Sequence, residues 1–239
     1  MRSFRIFALG LGILALVLLV ASGPVTRANL WSWQYGLRAY SWAAYTGLAA
    51  AGLGLVLSLL AAVPRWRKGA WIPVIALCAG AAALTPPILL FEKAKSVPPI
   101  HDITTDPFNP PRFVSLLAAR MASPNGAEYG GIAIAAQQQK GYPDIKPAIV
   151  KAAPAEAMQR AIDAARALGW QVAASDVATG RLEATDTTPW FGFKDDIVVR
   201  VRAEPSGGSR VDVRSASRVG RSDIGTNAGR VREFLSRLA

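Results

Sequence analysis

Three long apolar runs constrain this chain more than any other feature of its sequence. They cover residues 4–23, 40–63 and 71–91, and each is close to the ~20 residues that a helix needs to cross a bilayer. A helix satisfies its own backbone hydrogen bonds, so such a segment can lie in lipid where a loop could not. We therefore predict a membrane anchor of three transmembrane helices within residues 1–95, followed by a segment of normal domain size.

The first apolar run is also compatible with a secretory signal peptide. Arg2 and Arg5 precede it, and it ends in Val-Ala-Ser-Gly, which is the order of features in a signal sequence. Its length favours an uncleaved helix, and both alternatives stay open. Either form places the residues after the third run on the outer side of the membrane. The basic cluster Arg65-Trp66-Arg67-Lys68 in the shortest loop supports this orientation, because positive loops stay inside.

Small residues and prolines interrupt the second and third runs. Pro86 and Pro87 are expected to kink the third helix or to end it early. A set of small residues in the second run offers a surface for close helix packing, either within the chain or between copies. This set comprises Gly47, Ala51, Gly52 and Gly54.

The net charge of +11 first suggests a protein that binds nucleic acid. However, nine Lys and Arg residues and one acidic residue precede Pro99, so +8 of this charge flanks the apolar runs. Basic residues in such positions set the topology or contact anionic lipid headgroups. The rest of the chain carries only +3. We therefore expect a lipid bilayer as one partner and no nucleic acid.

The chain after the third run divides into two parts. Residues 96–146 are rich in proline and turn residues, which predicts an extended strap. Residues 147–239 show the alternation of strands and the spacing of amphipathic helices. The predicted strands are 148–152, 170–176, 181–187, 196–203 and 210–217; the predicted helices are 154–168 and one starting at Ile224, capped by Ser222 or Asp223.

Tight connections between the last four strands predict an antiparallel sheet with both helices on one face. The fold class is therefore α+β, with the last helix lying across the sheet in a helix-grip manner. The other face would carry alternating acidic and basic side chains. It is either a solvated face with cross-strand ion pairs or a polar groove. Its members are Glu183, Thr185, Thr187, Asp196, Arg200, Arg202, Asp212 and Arg214.

Seven arginines lie between Arg210 and Leu238, more than a strand and a helix need to bury their apolar faces. A planar guanidinium group suits carboxylate and phosphate. These arginines either lock the turn between strand and helix internally or form the rim of a site for an anionic or zwitterionic ligand or a partner protein. The candidate ligand-binding residues are Asp196, Arg200, Asp212, Arg214, Arg218, Asp223, Asn227 and Arg230.

Signals for catalysis or metal binding are weak. The single cysteine, Cys78, lies in an apolar run, so no intrachain disulfide or cysteine cluster can form. His101, Asp102 and Asp106 fall short of an established metal-ligand pattern, and we predict no metal or cofactor. The neighbours Asp195 and Asp196 would point to opposite faces of a strand. A hydrolase using His101, Glu183 and Asp196 stays an alternative, as does a carrier of lipid or another hydrophobic ligand.

Several stretches resemble one family. They are PPIHDITTD (98–106), YPDI (142–145), GW (169–170), EATDTTPWFGFKDDIVVRV (183–201) and DVRSASRVGRSDIGTNAGRVREFL (212–235). The chain from 98 to 238 resembles the bacterial and plastid family called domain of unknown function 1499. This resemblance implies a defined domain without an established activity. Together with the anchor, it leads us to expect a multi-pass protein of the bacterial inner membrane. Its periplasmic domain would be a binding or scaffold module with an envelope protein or an anionic small molecule as partner.

Overall fold

The computed structural model describes residues 1–238 of the chain. Ala239, the last residue of the predicted α+β domain, lies outside the described residues. Two compact units are present, and they are considered separately. The first contains residues 1–93 and the short stretch 189–192, and the second begins at Ala94 and contains the remainder. The predicted strap, 96–146, thus belongs to the same unit as the described part of the predicted α+β domain, apart from residues 189–192.

Three long helices form most of the first unit, and only the third continues a few residues into the second. They are α1 (Arg2–Arg27), α2 (Trp33–Leu60) and α3 (Trp71–Ser96). Each is long and apolar enough to cross a membrane. Pro86 and Pro87 were expected either to kink the third helix or to end it early, and the second alternative is wrong, because α3 continues through both to Ser96. A proline removes only its own N–H donor, and membrane helices tolerate this loss when other groups satisfy the carbonyl oxygens.

Glycines allow α2 and α3 to approach each other closely. A methyl group added at Gly80 would lie 2.5 Å from the carbonyl oxygen of Gly47, and one at Gly54 would lie 2.5 Å from the amide nitrogen of Leu77. Gly52, in contrast, has nothing within 4 Å of such a methyl group. The small residues at 47 and 54 therefore serve packing within the chain, one of the two alternatives that the sequence left open.

A six-stranded antiparallel sheet forms the centre of the second unit. The strands are β1 (Asp102–Thr104), β2 (Ala148–Val150), β3 (Gln171–Asp176), β4 (Arg181–Thr187), β5 (Lys194–Ala203) and β6 (Ser209–Ser217). Their order is β1-β6-β5-β4-β3, and β2 pairs with β6 beside β1. The five predicted strands are present with small shifts at their ends, whereas β1 was not predicted because it lies in the proline-rich segment interpreted as a strap.

Two helices, α6 (Pro154–Ala167) and α7 (Thr226–Ser236), pack on one face of the sheet, as predicted. The core there includes a stacked pair, Trp170 and Phe234, with ring centroids 5.2 Å apart. Helix α7 begins later than predicted. Ile224 and Gly225 both have positive φ, at 54° and 80°, so the chain turns through them before the helix starts.

The opposite face of the sheet is covered over most of its area, so the alternative of a solvated face is wrong except at a partly exposed edge. Residues 105–130, here called the cover segment, lie over it and include the short helix α4 (Leu117–Met121). Phe113 and Leu116 of this segment pack on Val198 and Ala216 of the sheet. Sequence alternation shows which side chains share a face but not what lies above them. A further helix, α5 (Gly131–Gly141), follows the cover segment.

Candidate functional site

The eight candidate binding residues do not form one site. They fall into three charged clusters. The clusters differ in how many donor and acceptor atoms remain without a hydrogen-bond partner. Two of the clusters are buried, one beneath the cover segment and one between the sheet and α7. The third lies at a partly exposed edge of the sheet.

Asp196 is the centre of the first buried cluster and is fully buried. The Arg218 fork donates to both of its carboxylate oxygens, Nε to Oδ2 at 2.9 Å and Nη2 to Oδ1 at 2.8 Å. Thr185 Oγ1 donates to Oδ1 at 2.8 Å, and Arg120 Nη1 donates to Oδ2 at 3.3 Å. Four donors occupy the carboxylate, which leaves it little capacity to bind a ligand.

Arg214 joins the cover segment to the sheet in the same cluster. Its Nε and Nη2 donate to Asp102 Oδ1 and Oδ2 at 2.9 and 2.7 Å. Nη2 also donates to the carbonyl oxygen of Ala127 at 2.9 Å, and Nη1 to that of Pro111 at 3.3 Å. The guanidinium carbon lies 5.0 Å from the centre of the Phe113 ring. Arg214 is therefore a structural cross-link, with 1% of its surface exposed.

Glu183 holds the cover segment at a second point. Its carboxylate accepts three consecutive backbone N–H groups, from Val114 at 2.9 Å, Ser115 at 3.1 Å and Leu116 at 2.8 Å. Arg181 Nε lies 3.4 Å from the same carboxylate. Glu183 thus satisfies backbone donors of the segment that buries it, and a buried donor left without an acceptor would be costly.

Arg230 of α7 is the centre of the second buried cluster. Its Nη2 donates to Asp186 Oδ2 and Asp195 Oδ2, both at 2.8 Å. Its Nη1 donates to Asn227 Oδ1 at 2.6 Å and to Ser215 Oγ at 3.1 Å. Asp195 contacts α7 while its neighbour Asp196 faces the cover segment, so the two carboxylates point to opposite faces, as the strand pattern predicts.

Asp223 caps the turn before α7 and lies in the same region. Its Oδ1 accepts the N–H of Gly225 at 2.9 Å and its Oδ2 that of Asn227 at 2.5 Å. Burial raises the pKa of Asp223, although these N–H groups act against the rise. The Asn227 amide in turn donates to the carbonyl oxygen of His101 at 3.0 Å and to Ser217 Oγ at 2.9 Å. These contacts form an internal lock between the turn, α7 and the sheet.

The third cluster, here called the arginine edge, comprises Arg200, Arg202, Arg210, Asp106 and Asp212. All three arginines contact Asp212, at 3.0, 2.9 and 3.1 Å in that order. Asp106 lies 3.0 Å from Arg200 and 3.7 and 3.6 Å from the other two. Three guanidinium groups therefore share two carboxylates, and the cluster keeps one positive charge in excess.

The arginine edge is also partly exposed, unlike the two buried clusters. The Arg202 side chain is 44% exposed and that of Arg210 is 35% exposed. The Nε of Arg200 is buried without a hydrogen-bond partner, so the N–H groups open to solvent are those of Arg202 and Arg210. Arg181 pairs with Arg200 across the β4–β5 ladder, and cross-strand partners project from the same face. This edge thus has donors to spare, which the buried clusters do not.

Sequence reasoning placed Arg200 and Asp212 among the candidate binding residues but missed Arg202, Arg210 and Asp106. The strand register contained a usable signal, because the tight β5–β6 hairpin places Arg202 opposite Arg210 and Arg200 opposite Asp212. Nothing in the sequence indicated Asp106, which comes from the cover segment about a hundred residues earlier.

The three residues of the hydrolase alternative do not form a catalytic group. No hydrogen bond joins any two of His101, Glu183 and Asp196 in residues 1–238. Glu183 accepts backbone amides, and Asp196 accepts two arginines and a threonine. Across residues 1–238, no group of three or more His, Cys, Asp or Glu side chains could hold a metal ion.

The carrier alternative requires a cavity between α7 and the sheet. Val231, Phe234 and Leu238 occupy this interface, and each is at most 2% exposed. Phe234 also stacks on Trp170. Side chains of the core therefore fill the space where a hydrophobic ligand would have to lie.

Comparison with known proteins gives one match. Residues 102–238 match the model of the family described as "Protein of unknown function (DUF1499)". No curated protein and no solved structure matches the chain. The matched region contains the sheet, the cover segment, α7 and all three charged clusters, and it covers more than half of the sequence. The chain therefore belongs to the DUF1499 family.

Proposed function

We propose that this chain is a non-enzymatic, membrane-anchored binding module that recognises an anionic group through the arginine edge. The anionic group is a carboxylate or a phosphate, on a small molecule or on a partner protein of the cell envelope. One observation carries the proposal: three guanidinium groups share two carboxylates at a partly exposed surface. An incoming anion would neutralise the excess charge and accept the N–H groups that remain.

Energetic considerations favour a binding role for this edge. Two guanidinium groups would neutralise the carboxylates of Asp212 and Asp106, so stability alone gives no reason for a third arginine at this edge. Asp212 is fully buried and holds the guanidinium groups in position. An anion would therefore meet side chains that are already oriented, which lowers the entropic cost of binding.

Binding of pyrophosphate and citrate tests the proposal. We would titrate the full chain, in nanodiscs of neutral lipid, by calorimetry at constant ionic strength. We expect Arg202→Gln with Arg210→Gln to weaken binding at least about tenfold, because a hydrogen bond to a charged group contributes about 1.5–3 kcal/mol. The matched control is Arg160→Gln with Arg237→Gln, which removes two exposed arginines, one in α6 and one directly after α7. Absence of binding, or an equal loss in the control, would overturn the proposal.

We further propose a location for this module. The three apolar helices would form a multi-pass anchor in the bacterial inner membrane, with the α+β domain on the periplasmic side. The basic residues 65–68 support a cytoplasmic location for the loop between α2 and α3. Helix α3 then crosses the membrane once, so the domain that follows it lies outside. Alkaline phosphatase, which is active only outside the cytoplasm, should be active when it is fused to the C-terminus. An inactive phosphatase fusion, together with an active fusion to a reporter that works only in the cytoplasm, would contradict this topology.

A further inference from the structure

Phe108 is the most exposed large apolar residue of the second unit, and it lies beside the arginine edge. Its side chain is 94% exposed. The residues around it contact the edge directly: Asp106 is a member, and the carbonyl oxygen of Asn109 accepts a hydrogen bond from Arg200 Nη2 at 2.9 Å. The backbone of Phe108 therefore lies next to the cationic cluster, and its ring is open to solvent.

The loop that carries Phe108 is held rigidly. The backbone N–H of Asn109 donates to Asp106 Oδ1 at 3.1 Å, which closes a turn around Phe108. Asp106 is itself bonded to Arg200 at 3.0 Å. Pro107 precedes the phenylalanine and Pro110 follows two residues later, and each fixes its own φ angle. The ring therefore has little backbone freedom to lose when it is buried by a ligand.

We infer that Phe108 and the arginine edge together dock an acidic segment of a partner protein in which an apolar side chain lies next to one or more carboxylates. The charged half of this surface rests on the proposed function, and Phe108 adds the apolar half. Aromatic and arginine side chains are the residues that most often dominate the binding energy of protein interfaces. The carboxylates of the partner would bind Arg202 and Arg210, and its apolar side chain would cover the ring.

The composition of this surface favours a protein over the other sources of negative charge. A free phosphate or carboxylate would use the arginines and leave the Phe108 ring in water. An anionic bilayer is flat and would contact a broad basic area, whereas the arginine edge contains the two carboxylates of Asp106 and Asp212 and keeps an excess of only one positive charge. A peptide segment can contact the Phe108 ring with an apolar side chain and bind the guanidinium groups with its carboxylates at the same time.

Selection of random peptides by phage display tests this inference without assuming a partner sequence. The target is the full chain in neutral-lipid nanodiscs. We expect the selected peptides to combine Asp or Glu with a neighbouring apolar residue. Phe108→Ala should weaken the binding of these peptides roughly tenfold and leave the affinity for pyrophosphate unchanged. Ile132→Ala is the matched control, since Ile132 is 86% exposed and outside the surface, and it should change neither affinity.

The remaining outcomes separate the two proposals. Selected peptides that are acidic but lack an apolar residue, or that bind Phe108→Ala as well as the original chain, overturn the docking surface and leave the anion site intact. The docking surface is likewise overturned if the chain selects no peptide yet binds vesicles of anionic lipid through Phe108. Selected peptides without acidic residues, together with no effect of Arg202→Gln and Arg210→Gln on pyrophosphate binding, overturn both.

Discussion

Arginine side chains serve two purposes in this domain, and their remaining hydrogen-bond capacity separates them. Arg214 and Arg230 are nearly fully buried and donate to carboxylates and carbonyl oxygens around them. Arg202 and Arg210 are far more exposed and share one carboxylate with a third arginine. Residues of the first kind hold the fold together, whereas those of the second kind are the ones that we propose bind a ligand.

Arg214→Leu is expected to lower the free energy of unfolding by about 3–5 kcal/mol, because it leaves the buried carboxylate of Asp102 without a cation. Chemical unfolding of the full chain in detergent micelles, followed by near-UV circular dichroism, measures the change. Arg237→Leu removes an exposed arginine that pairs with Glu233 within the same helical turn. It should change the free energy by less than about 1 kcal/mol. Equal effects of the two substitutions would contradict the structural role of Arg214.

Asp223 predicts a specific dependence of stability on pH. Burial raises its folded-state pKa above the ordinary value of 3.8, so the folded chain binds a proton more tightly than the unfolded chain. Its contribution to stability is therefore complete below pH 3.8 and is lost as the pH rises through the folded-state pKa. We expect the Tm of the unchanged chain minus that of Asp223→Asn to decrease as the pH rises from about 4 to 7. A difference that stays constant or grows would contradict this assignment.

At the scale of elements, alternation and turn signals predict the strands β3 to β6 and the helix α6, since local patterns determine them. The cover segment was predicted as part of an extended strap, but its place over the sheet depends on long-range contacts. Arg214 reaches Asp102 across more than a hundred residues, and Glu183 meets amides nearly seventy residues away. No local pattern encodes such pairs. The buried carboxylates were therefore assigned to a face open to water.

Helix packing in the anchor gives a prediction at the same scale. Gly80→Val should push α2 and α3 apart, because even a methyl group there would lie 2.5 Å from the carbonyl oxygen of Gly47. We expect a lower Tm of the anchor in micelles, measured by far-UV circular dichroism. Gly52→Val is the control, a glycine of the neighbouring helix α2 that has open space around it. If both variants melt at the same temperature, the two helices do not pack through these glycines.

At the scale of the whole molecule, the chain combines three apolar helices with a domain whose buried ionic groups are largely satisfied internally. The arginine edge differs from the two buried clusters, because two of its arginines are partly exposed. The sequence alone identified two of its five members, Arg200 and Asp212. The register of β5 against β6 was needed to find Arg202 and Arg210, and the position of the cover segment was needed to find Asp106. A protein that binds through this edge would need its anchor for location and its buried clusters for rigidity.

A crystal structure of the full chain with pyrophosphate tests the central claim most directly. We predict pyrophosphate oxygens within hydrogen-bond distance of Arg202 and Arg210, with Asp212 still bonded to both arginines. The buried pairs of Arg214 with Asp102 and Arg218 with Asp196 should stay as they are. Pyrophosphate bound at another place, or an arginine edge that stays empty at saturating concentration, would contradict the account.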